Sequence, residues 1–242
     1  MTTLPDFSRR STAAEWMDAS SADPDQLAAC LVDLSRVNRA TLAYGPTVRY
    51  LERALPTLRR LGRPVQIIDV GSGFGDTLRA VARWARAREL PVCCTGVDAN
   101  PVATRAAAAA TPPELGIRWV AADVFGHPAT EAADVVVSSL VAHHLTDPEI
   151  AALLQWMERH AEVGWFVSDL HRHPVPYHVF RLGSWLARLH PFVQHDGPVS
   201  IARSFVRADW ERLLAEAGIG AAIAVIRWEL PFRLTVSRLR PA

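Results

Sequence analysis

Cysteine is scarce and unpatterned: Cys30, Cys93 and Cys94 are the only three in 242 residues. An odd count without framework spacing excludes a small secreted fold stapled by disulfides. Neighbours in a strand point to opposite faces, so Cys93 and Cys94 read as small apolar fillers. Long hydrophobic runs are also missing, and none approaches the roughly 18 apolar residues of a membrane-spanning helix. The opening MTTLPDFSRRSTAAEW carries no apolar signal-peptide core, so a cytoplasmic protein with no membrane span is expected. Excess charge of either sign is absent, with 26 basic and 25 acidic residues and the arginines scattered. Phosphate backbones demand a basic excess or stripe, so nucleic acid is not an expected partner. There is no internal repeat, and Ala106–Ala110 reads as the interior of a helix.

What remains is an ordinary globular composition, 50% hydrophobic and 21% charged. It suits a single globular unit: an N-terminal helical cap over residues 1–60 and a main domain over 61–242. Residues 1 to about 24 are polar and are expected to be loosely ordered. Asp23-Pro24 reads as a helix start, and Leu27, Leu31, Leu34 and Val37 then share one helix face. A second helix follows Gly45-Pro46 and is expected to be interrupted at Pro56.

From residue 65 short apolar runs alternate with helical segments. VQIIDV (65–70), VCCTGV (92–97), IRWV (117–120), DVVVSS (134–139) and VGWFVSD (163–169) read as strands. Helices beginning at Asp76, Asn100 and Asp147 lie between them, each start offering a capping side chain. Such alternation means βαβ units and a parallel sheet buried on both faces. Residues 171–205 interrupt it with prolines, histidines and aromatics, which reads as an insertion after the fifth strand that forms a substrate lid. A helix ending near Gly218 and two strands joined at Leu230-Pro231 close the chain, the strands as antiparallel neighbours.

The densest signal is IIDVGSGFGD, residues 67–76, where Gly71, Gly73 and Gly75 follow a strand and precede a helix. Glycine admits positive φ and lets a ligand approach the backbone. At the C-terminal end of a parallel strand that makes a nucleotide-binding crevice. The dinucleotide fingerprint would put Asp76 at its third glycine position, where close helix packing disfavours a charge, so a nicotinamide oxidoreductase is disfavoured.

The spacing G-x-G-x-G with an acid two residues before it resembles motif I of class I S-adenosylmethionine-dependent methyltransferases. The resemblance continues in GVDANP, WVAADVF and VVVSSLVAHHL, covering residues 65 to about 170, and 207 to 240 by topology. It implies a Rossmann-like α/β fold: a seven-stranded, mostly parallel sheet with an antiparallel last strand and helices on both faces. It also implies S-adenosylmethionine as cofactor. Asp69, Gly71, Ser72, Gly73 and Gly75 would form the loop around it, with Asp69 near its amino group. Asp98 and Ala99 would serve the ribose, Asp123 and Val124 the adenine, and Ser139 and Leu140 the methionine end.

Methyl transfer to a hydroxyl invites a general base near the ends of strands four and five. His143 and His144 follow the fourth strand and Asp169 ends the fifth. His144 is the expected base with Asp169 as its carboxylate partner, and His143 the alternative. His171 and Arg172, with Tyr177 and Phe180, are expected at the substrate, and the N-terminal helices add Asn38, Arg39 and Tyr44. His171 and His173 could ligate a metal, but no third ligand has recognisable spacing, and no metal is expected.

An aromatic, largely apolar lid suits an aromatic small molecule or phenolic lipid. DLHRHP, residues 169–174, resembles bacterial methyltransferases found beside type III polyketide synthases, which implies O-methylation of phenols in secondary metabolism. N- or C-methylation of a quinone-type acceptor, and a cofactor-binding regulator without activity, stay open as alternatives. So does the choice between monomer and homodimer.

Overall fold

The computed structural model describes residues 5–18, 23–125 and 133–241. Helix α1 (Pro24–Ala40) and α2 (Gly45–Arg60) precede strand β1 (Val65–Val70). Then come α3 (Asp76–Ala87), β2 (Val92–Asp98), α4 (Pro101–Ala109), β3 (Arg118–Ala121) and β4 (Ala133–Ser139). The chain continues through α5 (Asp147–His160), β5 (Ala161–Leu170), α6 (Pro174–Leu186), α7 (Pro191–Arg203) and α8 (Arg207–Glu216), and ends in β6 (Val225–Glu229) and β7 (Arg233–Leu239). The seven strands form one sheet in the order β3-β2-β1-β4-β5-β7-β6. All neighbours are parallel except at β7, which runs antiparallel to both β5 and β6.

The strands alternate their side chains between two cores, as a pleated sheet requires. Ile68, Val70, Val136 and Val167 pack with Ile150, Leu153 and Met157 of α5 and with Trp210 and Leu213 of α8. Val65, Ile67, Val135 and Val137 pack on the other side with Leu51 and Leu58 of α2 and with Leu78 and Val81 of α3. Cys94 is a buried filler as expected, but Cys93 points to the opposite face of the sheet and is exposed, so the filler reading fails for it. The order reverses at β1, whose neighbours are β2 and β4. In open α/β sheets ligands bind outside the strand ends at that reversal.

Three further expectations are corrected. Helix α2 runs through Pro56 without a break. Pro56 lies on the exposed side of the helix, so the carbonyl that loses its partner can be met by water. The insertion is two helices, α6 and α7, rather than a long loop. The first residues are also tethered where the structure describes them. Arg10 donates to the Leu145 carbonyl at 3.0 Å and to the Arg203 carbonyl at 2.8 Å, and it pairs with Asp147. The backbone N–H groups of Trp16 and Met17 donate to the Asp196 carboxylate of α7 at 2.8 and 2.9 Å. Segment 5–18 therefore forms a strap across the C-terminal edge of the sheet.

Candidate active site

The glycine loop opens directly from β1. Gly73 and Gly75 take φ of 50° and 77°, in the left-handed region that side chains avoid. A Cβ on Gly75 would lie 2.2 Å from the Trp119 ring, and one on Gly96 2.4 Å from the same ring, so an indole on β3 fixes the loop against β2. A Cβ on Gly71 would strike Val141. A Cβ on Gly73 meets no protein atom within 4 Å, so this loop residue faces open space.

That space belongs to a cavity of about 390 Å³, within the usual range of ligand pockets. Asp69, Gly71, Ser72 and Gly73 line it from the loop, and Ser139, Leu140, His143 and His144 from the end of β4. His171 and Phe180 line it from the β5 side, and Asn38 and Thr41 from α1 and its C-terminal turn. Asp98 holds the loop: its carboxylate accepts from the Gly73 N–H at 2.7 Å and from the Asn100 N–H at 2.8 Å. Ala99 follows it. Asp123, with Val124, lies just past β3 and accepts from the Phe125 N–H. Asp98, Ala99, Asp123 and Val124 thus sit at the ends of β2 and β3, outside the lining of the deep cavity.

Asp69 is fully buried, and its Oδ1 has no protein partner. Burial, with Asp76 and Asp98 nearby, pushes its carboxyl well above the usual carboxylate range. Ser72 Oγ is likewise buried and unbonded. Asp76, at the start of α3, is held by the Tyr44 hydroxyl at 2.6 Å and the Asn38 amide at 3.2 Å. This ties the N-terminal helices to the loop, whereas Arg39 points to solvent.

The histidine pair does not divide as the sequence reading expects. Asp169 bonds His143, not His144: His143 Nδ1 lies 2.7 Å from Asp169 Oδ1, and the His143 N–H donates to Oδ2 at 3.1 Å. The reason is the 3-10 turn Ala142–His144, which aims the first histidine back at β5. Both partners are buried. Burial pushes Asp169 up, but His143 and the N–H groups of Leu170 and His143 outweigh it and hold the carboxyl below its ordinary value. An ionised carboxylate only accepts, so Nδ1 is the donor of this pair, and in the neutral ring His143 Nε2 would be left as an acceptor. His144 faces another acid, Glu15 of the strap, at 3.7 Å. Arg203 braces the turn, donating to the carbonyls of His143 at 2.9 Å and His144 at 3.0 Å.

Two expected substrate residues lie elsewhere. Arg172 is buried in structure, donating to the carbonyls of Ser204 and Phe7 and pairing with Asp209. Tyr177 packs edge-on against Phe7 instead of lining the cavity. Burial, then His173 and Arg172, pushes His171 below its ordinary value. The His171 and His173 rings are 5.8 Å apart. The metal-compatible group found among the described residues is a different one: Glu15, His143 and His144, whose ligand atoms lie within 4.8 Å of one another. Sequence reading also passed over Arg233, a buried cation on the cavity wall.

Residues 67–164 match the family described as a methyltransferase domain. No curated protein matches the chain. Among solved structures, the magnesium protoporphyrin IX methyltransferase of Synechocystis PCC 6803, with bound S-adenosylhomocysteine, is similar over 93% of this chain and 91% of its own, at TM-score 0.53 and 14% identity. A plantazolicin methyltransferase in complex with a triazolic desmethylPZN analog and S-adenosylhomocysteine is similar over 90% of this chain and 96% of its own, at TM-score 0.62 and 13% identity. At such identities the likeness is one of fold.

Proposed function

We propose that this chain, which carries a class I S-adenosylmethionine-dependent methyltransferase domain, methylates a phenolic or enolic hydroxyl of an aromatic small molecule, with His143 as general base. The observation that carries the reading is His143 on the wall of a cavity that begins at the glycine loop, with the buried Asp169 paired behind it.

The loop suits the cofactor on two counts. The open side of Gly73 leaves room for a ligand against the backbone. The unbonded Asp69 Oδ1 and Ser72 Oγ offer buried polar atoms that a bound amino-acid group would satisfy. Asp69, Ser72 and Gly73 would hold the methionine end, with Ser139 and Leu140 beside it, and Asp98 and Asp123 would meet the nucleoside. When bound, S-adenosylmethionine supplies a methyl group already activated on a sulfonium.

The chain's own work is then to orient the acceptor and take its proton. Asp169 fixes the His143 tautomer, Nε2 accepts the hydroxyl proton, and the buried carboxylate stabilises the imidazolium that forms. Phe180 and Leu140 give the cavity an apolar wall for an aromatic ring. A second reading rests on the convergence of Glu15, His143 and His144. In it a divalent cation held by those three groups would lower the pKa of the hydroxyl directly, with Asp169 backing one ligand.

Calorimetric titration with S-adenosylhomocysteine, with NAD as control, tests the cofactor. Turnover on a panel of phenols by the wild type and a His143→Ala variant tests the base. Unchanged turnover in the variant would remove the base from the mechanism.

A further inference from the structure

Arg233 opens β7 and stands opposite Leu170 in the antiparallel register, one position from Asp169. Its side chain is 3% exposed and lines the cavity. Nη2 donates to Thr41 Oγ1 at 3.0 Å. Nε and Nη1 are buried and have no acceptor on the protein. Burial pushes the guanidinium down to about 10, so it stays charged at neutral pH.

The groups that face it are already committed. Asp169 exerts the main attraction, but its oxygens take the His143 ring, the His143 N–H and the Leu170 N–H. The Tyr44 hydroxyl is engaged with Asp76 and the Ser35 carbonyl. Glu15 keeps to the His144 side of the cavity, 3.8 Å from Arg203. A buried cation with two unmet donors on a cavity wall is costly unless a ligand supplies the acceptors.

We propose that Arg233 receives a carboxylate of the acceptor, making the preferred substrate an aromatic hydroxy acid rather than a neutral phenol. This rests on the reading that the cavity takes the acceptor beside His143. The sheet places the two groups suitably: Arg233 reaches from β7 beside β5, and His143 is drawn to the end of β5 by Asp169. Arg233 would fix the acid while His143 faces the hydroxyl. Arginine suits the task because it remains charged when buried and donates in several directions.

Salicylate and phenol are the probes, each titrated calorimetrically into protein saturated with S-adenosylhomocysteine. The wild type should bind salicylate at least about tenfold more tightly than phenol, the effect of a charged hydrogen bond. Arg233→Met should erase that preference while holding phenol and S-adenosylhomocysteine affinities within about twofold. Arg233→Lys, which keeps the charge, should recover part of it and guards against a folding defect. Equal affinity of the wild type for the two probes would overturn the proposal. So would loss of S-adenosylhomocysteine affinity in Arg233→Met, since the cofactor's own carboxylate would then be the anion held. No binding of S-adenosylhomocysteine by the wild type would instead sink the underlying methyl-transfer reading.

Discussion

Asp169 Oδ1 and His143 Nδ1 lie 2.7 Å apart in a buried pair, and the backbone N–H of the same histidine donates to the other carboxylate oxygen. One acid thus sets both the ring orientation and the backbone of the turn that carries it. His143→Ala should lower turnover by roughly 10²–10⁴-fold, the usual contribution of a positioned base. Affinity for S-adenosylhomocysteine should hold, because no contact to the glycine loop is lost. Steady-state kinetics beside calorimetry separates the two quantities. His144→Ala should cost less, since that ring faces Glu15 instead.

The glycine loop offers a contrast between two positions. Gly73→Val should leave a folded protein, by circular dichroism, that no longer binds S-adenosylhomocysteine, because the new side chain would occupy the open space beside the loop. Both positions have positive φ and any side chain is strained there, but Gly75→Ala should lower Tm further than Gly73→Val, because only its Cβ would also meet the Trp119 ring, at 2.2 Å. Normal cofactor binding by Gly73→Val would refute this account of the loop.

Asp69 predicts a pH dependence with a definite sign. Its carboxyl in the folded protein lies well above the usual value, chiefly through burial, with Asp76 and Asp98 adding to it. Below that raised value Asp69 is neutral, and pairing with a cationic amino group requires it to lose a proton. Affinity for S-adenosylhomocysteine should therefore increase as pH rises toward and through the folded value of Asp69. Without ligand the folded state binds the proton more tightly than the unfolded chain does. This group's contribution to stability is therefore present at low pH and is lost as pH rises between the two values. Asp69→Asn should flatten both slopes, read by calorimetry and thermal melts across pH.

Chelation separates the base from the cation reading. With His143 acting alone, EDTA should leave turnover unchanged. Loss of activity restored by added Mn²⁺ or Zn²⁺ would favour the convergence of Glu15, His143 and His144 over the simple base.

Much of the fold was legible because its signals are local. Six residues of VQIIDV matched β1, and the glycines after it marked where the sheet would hold a ligand. The two-histidine turn was legible as a site, but not which ring would meet Asp169, because the rotation of a 3-10 turn is decided by tertiary bonds such as those from Arg203. Glu15 sat in a stretch with no periodic pattern and no glycine. Its place on the cavity wall follows from Arg10 and Asp196, which lie far from each other in sequence. Arg233 looked like one of many scattered arginines on a strand, and only the packing of β7 against β5 buries it. Arg172 failed in the opposite direction: its histidine neighbours suggested a substrate contact, while Ser204, Phe7 and Asp209 consume its donors.

The strap also bears on how the protein is handled at the bench. Arg10 joins the carbonyl of Leu145 to that of Arg203, and Glu15 sits beside His144. Limited proteolysis that removes the first fifteen or so residues would therefore alter the cavity wall beside His144 while sparing the seven-stranded sheet. Preparations differing only at that end should agree in melting behaviour far better than in turnover, and assays are best compared between samples with matched amino termini.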